Sequence, residues 1–170
     1  MEPELTPAQH RLFERIREFR FDEDGTALTF HERLASENGW SFGFAARAIT
    51  EYRRFVLLAV VAGHPVTPSD QVDQVWHLHL LYTRSYWDRF CQEVLGRPLH
   101  HEPTAGGAEE GQKFARWYAR TLDSYRRIFH EDPPADLWPH ERIRFGDDVH
   151  FRRVNTRRAW VLAKPWRQVR

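Results

Sequence analysis

Apolar residues recur at three- and four-residue intervals through most of the chain, and that period predicts helices. Thr6-Pro7 opens the first, with threonine as cap and proline at the first helical position; Leu12, Phe13, Ile16 and Phe19 follow at helical spacing, for a helix over about 7–20. Asp22 to Gly25 breaks it, and Leu28 to Glu37 forms a short second helix stopped by Asn38-Gly39. A third is capped by Ser41 and runs to about Ala62. Ala45, Ile49, Tyr52, Val56 and Ala59 trace its stripe, with Phe44 and Phe55 beside it, and Arg47 and Glu51 stand at ion-pair spacing. Gly63 and His64-Pro65 end it.

Thr67-Pro68-Ser69-Asp70 is the strongest start signal in the chain, with Thr67 as the cap. It predicts a fourth helix over 68–95, terminated by Gly96. Trp76, Tyr82, Tyr86, Trp87 and Phe90 surround this helix on several sides, which makes it the expected hub of a bundle. Arg97 to Gly107, with Pro98, Pro103 and Gly106-Gly107, reads as a loop. A fifth helix covers Glu109 to Phe129 on the stripe Phe114, Tyr118, Leu122, Tyr125 and Phe129. Asp132-Pro133-Pro134 closes it, and Leu137-Trp138-Pro139 reads as a clip lying back on the bundle. Beyond 140 the helical stripe is lost. Val149, Phe151 and Trp160-Val161-Leu162 suggest a short β-hairpin around Asn155. The expected fold is therefore a mostly α single-domain bundle of about five helices over 1–140. A basic extension over 141–170, irregular or a short β-hairpin, packs on the bundle or trails from it.

Composition narrows the class. At 170 residues with 14% aromatics, the chain can bury a core without staples. One cysteine, Cys91, excludes an internal disulfide and a cysteine-rich zinc site, and fits a reducing compartment. The start is acidic and then amphipathic, unlike a signal peptide, and the longest apolar run, Phe55 to Ala62, is too short for a bilayer; the expected location is the cytoplasm, with no membrane partner. Net charge is +1, yet residues 141–170 carry nine Arg/Lys against three Asp/Glu. With Phe151, Trp160 and Trp166 interleaved, that tail is able to engage a nucleic acid or a protein, or to dock on the acidic remainder of its own chain.

The candidate chemistry lies between Thr67 and His101, which holds four of the ten histidines. On a helix, Asp73 and His77 share a face, while His79 stands about 200° from His77. His100 and His101 follow the Gly96 turn, so a reversing chain can bring one of them back over the helix. Imidazole with carboxylate suits a divalent transition metal such as zinc, iron or manganese. The ligands in this reading are His77 and His101. Asp73 is a ligand or orienting group, His79 or His100 is accessory, and Glu51 or His64 is a further source of ligands. Such a site with an open position could activate water, so hydrolysis is the reaction class considered. Beside it stand an ordinary Asp–His hydrogen bond in an aromatic core and a metal-free acid–base site. A further function class is a non-catalytic interaction module using the aromatic and basic surfaces. Gly106-Gly107 lacks the phosphate-loop and dinucleotide patterns. Cys91, with no basic residue three or four positions away, reads as a packing residue.

The run Asp73-x-x-Trp76-His77-x-His79-x-Leu81, followed by Tyr86, Cys91 and Gly96-Arg97-x-Leu99, resembles the glycine-rich domain-containing protein-like family, first catalogued as a domain of unknown function. Tyr52-Arg53-Arg54-Phe55 and Leu137-Trp138-Pro139 extend the resemblance to roughly residues 45–140. It implies that Asp73, Trp76, His77 and His79 are the distinctive feature, and it implies no particular reaction. The family's plant members, linked to stress and developmental responses, carry a glycine-rich tail where this chain is arginine-rich.

Overall fold

A computed structural model describes residues 5–102, 106–145 and 160–162. Its elements are α1 (Pro7–Glu18), α2 (Phe30–Asn38), α3 (Phe42–Val61), α4 (Asp70–Leu81), a π-helix (Ser85–Leu95), α5 (Ala108–Phe129) and the short α6 (Glu141–Arg144). No strand occurs among the described residues. The expected β-hairpin is thereby corrected: Trp160, Val161 and Leu162 are 95%, 68% and 84% exposed and extend no sheet. A hairpin needs an apolar face packed on something to be stable, and these three side chains are largely exposed. The rest of that expectation, including Val149, Phe151 and Asn155, lies outside the described residues.

Local chemistry sets the helix starts. Thr6 with Gln9, and Thr29 with Glu32, form reciprocal capping boxes, and Ser41 accepts from the Phe44 amide. At α4 the cap is Ser69, whose hydroxyl accepts from Val72 N at 3.1 Å. Thr67, the expected cap, is buried against α5 instead, its amide donating to Thr121 Oγ1 at 3.0 Å. Thr67 and Ser69 both carry a hydroxyl able to cap, and tertiary contact decides between them.

The hub is α3 rather than the 68–95 segment, since α1, α2, α4 and α5 all pack against it. Tyr52, Phe55, Val56, Leu57 and Leu58 are essentially fully buried there, each worth about 1.5–3 kcal/mol on burial. The 68–95 segment is not one helix. α4 ends at Tyr82, whose ψ of 59° leaves the helical region, and the chain then winds more widely. The buried positions explain that winding: Tyr86, Phe90, Cys91 and Leu95 must all face inward. Phe90 and Leu95 would stand about 140° apart on an α-helix, whereas turns closed from i to i+5 bring them onto the same side.

The Leu137-Trp138 clip does lie back on the bundle. Trp138 packs beside Phe55, Tyr118 and Tyr125, and its indole donates to Glu51 Oε2 at 2.8 Å. Arg47 grips Asp136 at 2.7 and 2.6 Å, not the Glu51 its spacing suggested. Glu51 faces inward, 5% exposed, and burial raises its carboxyl pKa against the lowering effect of Trp138 and Arg54. Replacing Trp138 with Phe removes the donor and leaves that carboxylate under-satisfied. The expected cost is about 1–3 kcal/mol in a urea-unfolding measurement, larger than for an exposed aromatic such as Phe42.

Candidate metal centre

The four histidines of the Trp-His-x-His and His-His pairs meet very different surroundings. His79 points into the core. Its ring is fully buried, Nδ1 lies 3.0 Å from the Tyr52 hydroxyl, and the rings of Phe19, Phe21, Phe30, Tyr86 and Phe90 enclose it at 4.8–6.1 Å. Nε2 has no hydrogen-bond partner among the described residues. Burial, helped by the charges of Arg53 and Arg89, lowers its pKa to about 3, so the ring is neutral at physiological pH.

His77 emerges on the opposite side of α4. Its Nε2 is 3.8 Å from Oδ2 of Asp73, one turn earlier. The third group arrives from beyond the π-helix. Gly96, at φ 68°, adopts the left-handed conformation that closes this helix, and Arg97 N donates to Cys91 O at 3.1 Å. The chain then turns back along α4. Tyr86 donates its hydroxyl to the Leu99 carbonyl while accepting from Trp76 Nε1 at 2.9 Å. Two residues on, His101 Nε2 lies 2.8 Å from Asp73 Oδ1. Its ring rests 4.5 Å from Trp76 and 4.6 Å from His77, centroid to centroid.

Asp73, His77 and His101 therefore each place one ligand atom within 4.8 Å of the others. His100 lies outside this group, exposed and 5.6 Å from the Trp87 ring. His79 is separated from it by the body of α4. Neither further source of ligands joins: Glu51 is held under Trp138, and His64 bonds Ser124 Oγ at 2.7 Å and Pro65 O at 2.8 Å. Cys91 is buried, and burial raises its thiol pKa, as suits a packing residue. Tyr86 is the residue that site reasoning passed over. The signal for it was present, because a tyrosine buried on the inner face of a helix needs a partner for its hydroxyl.

A protein-family profile matches residues 13–118, more than half of the chain, and its description is UCP032817-like. The chain belongs to the UCP032817-like family. All three converging residues, and Trp76 and Tyr86 with them, fall inside the matched span. The family is uncharacterised, so membership assigns no reaction; the match does not carry the glycine-rich family name. No curated protein and no solved structure matches this UCP032817-like chain significantly. No helix among the described residues is long and apolar enough to cross a membrane.

The buried imidazole sets a pH dependence of stability. The folded pKa of His79, about 3, lies below its ordinary 6.5. Its contribution is thus complete above pH 6.5 and is lost as the pH falls toward 3, because the unfolded ring takes a proton that the folded ring refuses. The slope from this one group approaches about 1.4 kcal/mol per pH unit. His79→Gln should lower stability at pH 7 yet flatten the decline between pH 6 and 4 relative to wild type, as read by urea unfolding at each pH.

Proposed function

We propose that Asp73, His77 and His101 bind a divalent transition metal ion, with zinc, iron and manganese as the candidates. The observation that carries this reading is the approach of one carboxylate oxygen and two imidazole nitrogens to within 4.8 Å of one another. Two imidazoles and a carboxylate form the donor set of many catalytic zinc and non-haem iron sites. Ligands on a tetrahedral ion at 2.0–2.1 Å stand about 3.3 Å apart. The 3.8 Å between His77 Nε2 and Asp73 Oδ2 needs only a modest rotation of His77, whose side chain is 49% exposed and free to make it. The Asp73–His101 hydrogen bond already holds the other two donors together.

With three protein ligands, an ion would keep an open position and supply Lewis acidity, so hydrolysis is the reaction class we favour. The chain's own residues orient the donors: α4 fixes Asp73 and His77 one turn apart, and Trp76 offers an apolar wall to the His101 ring. We place the protein in the cytoplasm, a reading supported by its single cysteine, free and buried. We divide it into a bundle over 1–140 and a basic extension over 141–170, and keep the resemblance to the glycine-rich domain-containing family as an expectation for the bundle alone. A second reading, a non-catalytic module for a protein or nucleic-acid partner, draws on the exposed Trp160, Val161 and Leu162 between Arg157-Arg158 and Lys164.

Metal analysis of tag-free protein, with zinc calorimetry, separates the two. About one ion per chain is expected for wild type. Loss of binding is expected in His77→Ala with little change in unfolding midpoint, since His77 is exposed. Wild-type protein that neither retains nor takes up an ion would defeat the metal reading and leave the interaction module.

A further inference from the structure

Asp73 and His77 come from one helix, and their spacing follows from α geometry alone. His101 is different. It lies 28 residues from Asp73, beyond a helix end and a proline-containing turn, on a stretch with no helical scaffold of its own. A ligand on an irregular segment reaches its place only where something fixes the backbone beside it. The backbone of Leu99 is fixed at its carbonyl, which accepts from the Tyr86 hydroxyl. The hydroxyl is itself oriented, because Trp76 Nε1 donates to it at 2.9 Å and leaves its own proton directed at Leu99. The indole that orients it is also the surface on which the His101 ring rests.

We infer that Tyr86 is the positioning residue of this centre: by holding the Leu99 carbonyl, its hydroxyl sets the register that delivers His101 to Asp73 and His77. The inference rests on the metal reading for its effect on affinity, and on the geometry alone for its effect on His101. Tyr86 touches no ligand atom. It acts on His101 through two residues of backbone, while Trp76 contacts the ring directly.

Three proteins test it: wild type, Tyr86→Phe, and a variant with one glycine inserted between Leu99 and His100. The insertion leaves the Leu99 tie in place and displaces only the histidine relative to it. An untethered loop would absorb one more residue at little cost. Zinc affinity is measured by chelator competition. The ring-proton shifts of His101, displaced by the Trp76 ring current, are followed by NMR in metal-free protein. Both variants should bind zinc about 10- to 100-fold more weakly than wild type, and both should lose the ring-current displacement. The insertion should leave the unfolding midpoint of the metal-free protein unchanged. Wild-type affinity with unaltered His101 shifts in both variants would overturn the inference. Should wild type bind no zinc while Tyr86→Phe still frees His101 from the indole, the positioning role stands and the metal reading falls. If Tyr86→Phe does not fold, the insertion variant decides on the same two readouts.

Discussion

The Tyr86 hydroxyl accepts a hydrogen bond from the Trp76 indole and donates one to the Leu99 carbonyl, and through these two bonds the interior of the bundle reaches the surface. On the inner side, the Tyr86 ring belongs to the aromatic shell around His79, where packing leaves little freedom. On the outer side, the carbonyl it holds lies two residues before His101. Burial raises the phenol's pKa, so the hydroxyl keeps the proton that this arrangement requires. Without the tie, the segment after Gly96 would have only side-chain contacts to bring it back along α4.

Within the Trp-His-x-His run, two histidines separated by a single residue serve opposite ends. The rotation of about 200° between them sends His77 to solvent and His79 into hydrocarbon. At the inner position an imidazole is a costly choice: one nitrogen bonds Tyr52, the other finds no partner among the described residues, and the ring must stay neutral. What the ring contributes there is a specific, hydrogen-bonded contact between α4 and α3. That contact fixes the rotation of α4, and with it the direction in which Asp73 and His77 face.

Much of this was legible in the sequence, because helical period, caps and glycine terminators are local signals. The stripe on α3, the stop at Gly96, the clip at Leu137-Trp138 and the shared face of Asp73 and His77 all follow from spacing. The signals that failed were those in which tertiary contact overrules a local preference. Thr67 and Ser69 both cap well, and only the pairing of Thr67 with Thr121 gives the cap to Ser69. Arg47 and Glu51 have ideal ion-pair spacing, yet Trp138 and Asp136, far along the chain, take one each. The winding change after Tyr82 is invisible to a periodicity argument, since apolar residues four and five apart fit a loose α pattern nearly as well as a π pattern. His101, the expected ligand with His100 as accessory, is the one that reaches Asp73.

The contact between Trp76 and His101 has an optical consequence. Trp76, 6% exposed and walled by Phe55, and Trp138, 3% exposed, are expected to emit to the blue of surface indoles such as Trp160. The His101 imidazole meets Trp76 edge-on, 4.5 Å between centroids. A paramagnetic ion lodged there would quench this blue component, whereas a closed-shell ion would spare it. Trp138 packs beside Tyr118 and Tyr125, so the quenchable share of that component would belong to Trp76 and report on its neighbouring histidine.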